Sequence, residues 1–398
     1  MNKSNEKDQE SHIRKVCVVV TARPSYARIK TVLQEVQNHP KLQLQLIVAA
    51  SALLERYGEV VNIIRQDGFE PDEIVYMVVE GENLVTTAKS TGMGIIELAT
   101  IFDNLKPDVV VSVADRYETI ATAIAGSYLN IPVAHVQGGE VTGSIDEKVR
   151  HAVTKLSNLH FVSNQQAADR VIRMGEDPDT VFVTGCPSVD LAAQVANEER
   201  GKFNPFDNYG GVGTPINLEE GYLVVMQHPV TTEYEDGLQH IEETLSAIRT
   251  LETPTFWFWP NVDAGSDSIS KGIRHFRETH DVPFIYFFKN MGPEDFLRLL
   301  IGAKCLVGNS SVGIRESSYL GIPVVNIGNR QAGRDRGENV IDVDYESGEI
   351  ITAIQTQLEK DTLPTTSLYG EGEAGKQIAK LLTKVPLKIK KKMFLKIR

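Results

Sequence analysis

DVVVSVADRYETIATAIAGSYLNIPVAHVQ, residues Asp108 to Gln137, reads as one strand–helix–strand unit. An almost unbroken β-branched run, Val109 to Val113, ends in the polar turn ADRYE. An Ala- and Ile-rich helical stretch follows, and the chain returns through Pro132 into a second β-branched run. A strand with one face in water would alternate apolar and polar residues. A strand that is apolar throughout is covered on both faces, as in a parallel sheet sandwiched by helices.

The same pattern recurs outward from this unit. VCVVVT from Val16, LQLQLIVAA from Leu42, EIVYMVV from Glu73, HFVSN from His160 and TVFVTG from Thr180 are further strands, with helical stretches between them. Between Asn197 and Gly221 the chain turns to Gly, Asn, Pro and Glu and reads as a linker or long loop. The alternation then restarts with YLVVMQ from Tyr222, TFWFWP from Thr255, PFIYFF from Pro283, KCLVGN from Lys304, PVVNI from Pro323 and VIDV from Val340. The expectation is an α/β chain of two doubly wound domains, 1–187 and 188–373, facing each other across a cleft. Such sheets bind ligands outside the C-terminal ends of their strands, so function is sought in the loops that follow strands.

Bulk properties narrow the function. A length of 398 residues fits two cores. With 41% apolar and 24% charged residues and no apolar run of membrane-spanning length, the chain reads as soluble. The polar lead MNKSNEKDQESH lacks the apolar centre of a secretory signal and reads as a disordered start to a cytoplasmic protein. Cys17, Cys186 and Cys305 are widely spaced and form no CxxC pair, so they read as reduced and structural. A net charge of −12 opposes nucleic-acid binding, so any anionic ligand must meet a local basic patch. The basic tail KVPLKIKKKMFLKIR offers weak membrane attachment at most and reads as a solvated terminal helix.

Candidate chemistry lies after the strands. TARPSYARIK places Arg23 at a strand end and Arg28 about a turn later, suited to an anion. Asp115 and Arg116 end the fourth strand. HVQGGEVTGSIDEKVRH is the densest run: His135, Gln137, Glu140, Asp146, Glu147, Arg150 and His151 gather around Gly138, Gly139 and Gly143, with Ser144 or Asp146 as a cap for a helix from Ile145. So many titratable groups beside glycines point to acid/base work. His228 follows the strand YLVVMQ. Asn261 and Asp263 end the next strand and Asn290 the one after, polar groups able to read hydroxyls or a base edge. In LVGNSSVGIRESS a strand runs into Gly308, Ser310, Ser311 and Gly313, where a helix start would meet a diphosphate; Glu316 would accept a ribose diol and Arg330 adds a cation. GEGEAGKQ from Gly370 imitates a P-loop, but Gln377 stands where Ser or Thr is needed and its two glutamates would repel phosphate. HExxH, GxSxG and a properly placed GxGxxG are absent from the sequence.

Taken together, TARPSYARIK, ADRYE, HVQGGEVTGSIDEKVRHAVTKLS, GCPSVD, QHPVTTE, PNVDAGS, GNSSVGIRESS and GNRQAGRDRGEN resemble the hydrolysing UDP-N-acetylglucosamine 2-epimerases, over roughly residues 16–375. The resemblance implies two Rossmann-like domains arranged as in GT-B glycosyltransferases, with a C-terminal helix, 374–398, returning to the first. It also implies anti elimination of UDP to a glycal and addition of water, giving N-acetylmannosamine for sialic-acid synthesis. A relative acts instead on UDP-N,N'-diacetylbacillosamine for legionaminic acid, and the motifs do not separate the two. Rival readings are a GT-B glycosyltransferase and a non-catalytic nucleotide-sugar sensor. Homodimers or homotetramers are implied in the same way. The redox-neutral chemistry calls for neither NAD nor metal.

By resemblance, Asp115 and Asp146 are the acidic candidates for the C2 proton, and Glu316 holds the ribose. Arg23, Arg116, His228, Ser310, Ser311 and Arg330 assist the departing diphosphate. The family's HxEGGE reads HVQGGE here, so Gln137 stands in place of a glutamate and cannot ionise. Proton transfer then falls to Asp115, Glu140, Asp146 or Glu147. Animal relatives bind CMP-sialic acid through basic residues after PNxDAGS; Asp267 adds negative charge there beside Lys271 and Arg274, which weakens the case for that feedback.

Overall fold

The computed structural model describes residues 13–55, 58–81, 83–114, 116–141, 145–198, 203–230, 233, 235–260, 266–360, 363–387 and 389. They form two seven-stranded sheets flanked by helices. The first contains β1 (Arg14–Val20), β2 (Leu42–Ala49), β3 (Glu73–Val75), β4 (Val109–Val113), β5 (Val133–Val136), β6 (Leu159–Val162) and β7 (Val181–Val183). Its order is β3-β2-β1-β4-β5-β6-β7, parallel throughout. The second contains β8 (Gly211–Val212), β9 (Leu223–Met226), β10 (Thr255–Phe258), β11 (Ile285–Phe288), β12 (Cys305–Gly308), β13 (Val324–Ile327) and β14 (Val340–Val343), in the order β14-β13-β12-β9-β10-β11-β8. Both are doubly wound: β2 and β3 extend to one side of β1 before β4 crosses to its other side, and β10 and β11 extend to one side of β9 before β12 crosses.

β4 shows why the apolar runs become central strands. Val109, Val111 and Val113 pack with Val32, Leu33, Ile378 and Leu382 from the helices Lys30–Asn38 and Ala374–Lys384. Val110, on the other face, packs with Leu98, Phe102, Ala121 and Ala125 from the helices Leu84–Leu105 and Thr119–Tyr128. Full burial of each such side chain stabilises by about 1.5–3 kcal/mol, and a β-branched run delivers that on both faces. The second sheet is built alike, with Val225 and Trp257 in one core and Val224, Phe256 and Phe258 in the other.

The thirteen strands expected from the apolar runs all form; β8 was not foreseen. It lies inside the glycine-rich stretch read as a linker and pairs antiparallel with Phe287 and Phe288. Gly211 and Gly213 are there for close packing: a Cβ would come within 2.2 Å of the Tyr286 ring at the first and 2.5 Å of the Ile285 carbonyl oxygen at the second. All three cysteines are buried and free, and burial pushes the Cys305 thiol up to about 12. No helix among the described residues is long and apolar enough to cross a membrane. Most of the basic tail lies outside the described residues.

The false P-loop resolves physically. Its helix, Ala374–Lys384, does receive an anion at its start, but an internal one. The Asp190 carboxylate accepts from the Ala374 and Gly375 backbone N–H groups at 2.9 and 2.7 Å and from the Thr31 hydroxyl at 2.9 Å. Asp190 therefore fastens the C-terminal helix to the first sheet's helical layer. Asp190→Ala should lower unfolding stability by about 2 kcal/mol in a urea titration, the size of a lost cap with buried charge-assisted bonds, and should speed amide exchange across 374–384.

Candidate active site

In each sheet the strand order reverses at one point, between β1 and β4 in the first and between β9 and β12 in the second. The loops after these four strands converge on one cavity of about 150 Å³. Arg23 and Arg28 begin and cap the short helix Arg23–Ala27 directly after β1, Arg116 comes from the loop after β4, His228 from that after β9, and Ser310 and Ser311 from that after β12. Asp146, in the first turn of the helix Ile145–Leu156, completes the wall with Arg315, Glu316, Arg330, Gln331 and Arg334. One end is apolar, lined by Phe258, Met291, Phe296 and Leu297. An open cavity of about 880 Å³ adjoins it, sharing Arg23 and Arg116 and reaching Trp259, Asp267, Arg274 and Asn290.

The electrostatic centre is Glu140, on the loop after β5. One carboxylate oxygen meets Arg315 Nη1 at 3.2 Å and Arg334 Nη2 at 3.4 Å, and the other accepts from the Ser163 hydroxyl at 2.8 Å. Arg150 Nη1 donates to the Glu140 carbonyl at 2.9 Å, and Arg334 Nε to that of Val141 at 3.1 Å. Burial alone would raise the Glu140 pKa, but Arg315, Arg334 and the Ser163 bond outweigh it and hold it below the usual carboxylate range.

Arg28 and Arg315 both donate to the Ser311 hydroxyl, at 3.1 and 2.7 Å. Burial, then repulsion from Arg315 and Arg334, pushes Arg28 down to about 9. Burial pushes Arg23 down to about 10. Charged at neutral pH yet electrostatically stressed, these guanidinium groups would be relieved by an arriving anion.

Other contacts aim the wall residues. Arg23 donates to the Asn290 side-chain amide oxygen. Arg116 Nε donates to buried Glu118 at 2.8 Å. The Asn309 side chain accepts from the His228 backbone N–H at 2.7 Å and donates to its carbonyl at 2.8 Å, tying β12 to the loop after β9. Arg330 and Gln331 donate to the Asn309 carbonyl at 3.2 and 2.8 Å. Burial, reinforced by Arg330, Arg23 and Arg116, drives the His228 pKa well down, so His228 acts as a neutral imidazole.

A cationic pocket at two facing switch points suits a nucleotide carrying a diphosphate. The family model described as UDP-N-acetylglucosamine 2-epimerase matches residues 34–383. The chain belongs to this family. It is 32% identical over 375 residues, 94% of its length and 97% of the relative's, to a hydrolysing UDP-N,N'-diacetylbacillosamine 2-epimerase of Legionella pneumophila. It is 30% identical over 348 residues, 86% of its length and 87% of the relative's, to a UDP-N-acetylglucosamine 2-epimerase of Neisseria meningitidis serogroup B. The fold matches a crystal structure of UDP-GlcNAc 2-epimerase from Neisseria meningitidis bound to UDP-GlcNAc, with a TM-score of 0.78 at 19% identity, covering 93% of this chain and all of that one. The GT-B-like architecture expected from the resemblance is thus the one observed.

Of the residues singled out in the sequence, Arg23, Arg28, Arg116, Asp146, His228, Ser310, Ser311, Glu316 and Arg330 meet on the cavity wall. Asp115, Asn261 and Asp263, with the proposed cap Ser144, lie outside the described residues. Asn290 lines the adjoining cavity and orients Arg23. Glu316 is buried; its Oε2 makes no hydrogen bond among the described residues and lies 3.9 Å from Arg315 Nε.

Four of the residues singled out lie off the cavity wall. Glu140 is held between Arg315 and Arg334. Glu147 is off the wall and sits 3.6 Å from His151. Gln137 is buried off the wall, its amide donating to Cys186 Sγ at 2.7 Å. Gly313 also misses the wall and is required by packing, since a Cβ there would stand 2.9 Å from Val324. The helix expected after Ser311 is a 3₁₀ turn, Ser311–Gly313, and a five-residue helix, Glu316–Leu320, so the positive potential there comes from arginines rather than a helix dipole.

Arg315, Arg334, Glu118, Ser188 and Gln331 were not chosen from the sequence. The two arginines lie inside quoted motifs, GIRESS and GNRQAGRDRGEN, but several charged neighbours compete there and only the turns decide which face inward.

Glu140→Gln should cost about 3 kcal/mol in denaturant unfolding, because it strands buried guanidinium groups. With a folded pKa below the unfolded one, the stability from Glu140 is present above the unfolded carboxylate value. It is lost as pH falls through the lowered value. The acid limb of the stability profile should therefore be flatter in the variant.

Proposed function

We propose that the chain is a hydrolysing nucleotide-sugar 2-epimerase, converting UDP-N-acetylglucosamine and water to N-acetylmannosamine and UDP. The observation that supports this most is the meeting of a carboxylate, Asp146, with cations from both sheets in one cavity. Arg23, Arg28, Arg116, Arg330, Ser310, Ser311 and neutral His228 bind the diphosphate, more tightly as charge develops on the leaving oxygen. Glu316 accepts from the ribose hydroxyls, and the Phe258–Met291–Phe296 wall covers the base.

Asp146 takes the C2 proton as the C1–O bond to UDP breaks, leaving a C1–C2 double bond. Water then adds its oxygen to C1, and C2 is protonated from the opposite face. Atoms and charge balance without an oxidant. UDP-N,N'-diacetylbacillosamine is the second reading, favoured by the 32% identity over 94% of the chain to the Legionella enzyme. Both sugars carry the acetamido-bearing C2 the chemistry needs.

Incubation with each UDP-sugar in D₂O, followed by NMR, tests the proposal. Free 2-epimerised sugar bearing deuterium at C2, with UDP released, is the expected outcome. Saturable binding with no turnover of either substrate would overturn the enzyme reading in favour of a sensor or a transferase. Asp146→Asn should keep UDP affinity and lower kcat by about 10²- to 10⁴-fold, the worth of a general base.

A further inference from the structure

His135 is fully buried behind the cavity and absent from its wall, yet its ring touches two elements that carry wall residues. Nε2 lies 2.8 Å from the Ala114 carbonyl oxygen, and Nδ1 lies 3.2 Å from the Thr154 hydroxyl. A carbonyl only accepts, so Nε2 carries the hydrogen and Nδ1 accepts from Thr154. Burial, the largest influence, pushes the His135 pKa down to about 4, so the ring stays neutral.

Both contacts are at places where the chain is unusual. Ala114 is the residue after β4, and its φ of 60° lies in the left-handed region that a non-glycine residue avoids. Its N–H still bonds the Val136 carbonyl at 2.9 Å, so the ladder is held up to this residue. Arg116, two residues further on, lines the cavity. Thr154 belongs to the helix Ile145–Leu156, whose first turn carries Asp146. Gly138 makes room for the ring, since a Cβ there would come within 2.8 Å of His135 Nδ1 and 3.1 Å of the Thr154 hydroxyl.

We infer that His135 is a positioning residue that couples the two ends of the elimination. Its Nε2–H clamps the left-handed Ala114 peptide, its Nδ1 holds Thr154, and together they set the spacing between Arg116 and Asp146. The inference rests on the epimerase reading, in which Arg116 serves the leaving group and Asp146 the C2 proton. These act on adjacent carbons in one transition state, where a displacement near 1 Å costs about 10²-fold. An ordinary core histidine would fill space and support folding without setting this register.

The test uses His135→Gln, His135→Asn and His135→Phe in the full chain, with melting temperatures to confirm folding. Gln carries an amide nitrogen as far from the backbone as Nε2, whereas Asn reaches only toward Thr154 and Phe fills the volume without a donor. In the Phe and Asn variants kcat should fall about 10²-fold with KM within about twofold, and in Gln kcat should return to within about tenfold of wild type. The pH–rate limbs should stay in place in Gln. Amide exchange over 113–119 should quicken in Phe and remain slow in Gln.

Folded Gln and Phe variants with equal kcat loss and equal exchange would overturn the inference, as would a pH limb lost in Gln, which would make His135 a proton carrier. If wild-type protein turns over neither UDP-sugar, the epimerase reading fails on its own. The exchange comparison then still decides whether His135 clamps Ala114.

Discussion

The contact on which the molecule turns is the carboxylate of Glu140 among buried guanidinium groups. It belongs to the first sheet, while Arg315 and Arg334 belong to the second. Removing an arginine from water without a counter-ion costs several kcal/mol, so these loops can lie against the first sheet only because an anion waits there. Arg28, Arg150, Arg315 and Arg334 all gather around this one carboxylate. Glu316 lies 3.9 Å from Arg315 Nε, carbonyls and the Ser311 hydroxyl accept from the cluster, and Arg28, Arg315 and Arg334 also line the cavity. The chain as a whole carries −12, which repels anions at long range. Beyond about 8 Å salt screens that field, whereas a buried cluster keeps its own. Local charge therefore decides what binds.

This account explains which parts of the molecule could be read in advance. Both sheets were visible because an apolar run such as Val109–Val113 has one comfortable environment, a strand buried on two faces. The site's location followed from topology, since the loops after β1, β4, β9 and β12 meet wherever two doubly wound sheets face each other. Arg23, Arg116, His228, Ser310 and Ser311 were legible for that reason.

What could not be read depends on contacts between residues far apart in sequence. Glu140 looked like an acid/base candidate because it stands among titratable groups in a glycine-rich loop; Arg315 and Arg334, nearly two hundred residues later, turn it into a structural counter-ion. The segment from Gly370 looked like a phosphate loop because its helix does accept an anion, and the anion proved to be Asp190. Gly211 marked a linker by composition, and Gly313 a ligand contact by motif; each is glycine because a neighbouring side chain leaves no room for a Cβ. In every case local chemistry was read correctly and the partner was missing.

Gln137 brings the two levels together. A glutamate there would suit proton transfer if it faced the cavity, but the residue occupies a left-handed position after β5, with φ of 65°, and is buried against Cys186. As glutamine it donates to a sulfur, a contact that a carboxylate, being only an acceptor, would reverse. Burial raises the Cys186 pKa and keeps it a neutral thiol, whose sulfur accepts from the glutamine amide. Glutamine at this position thus fits its surroundings as a buried donor. With Glu140 held by arginines and Glu147 beside His151, the carboxylates that remain on the wall among the described residues are Asp146 and Glu316. The meeting of these acids with cations of both sheets depends on the sheets staying together, which returns the cavity to the Glu140 counter-ion.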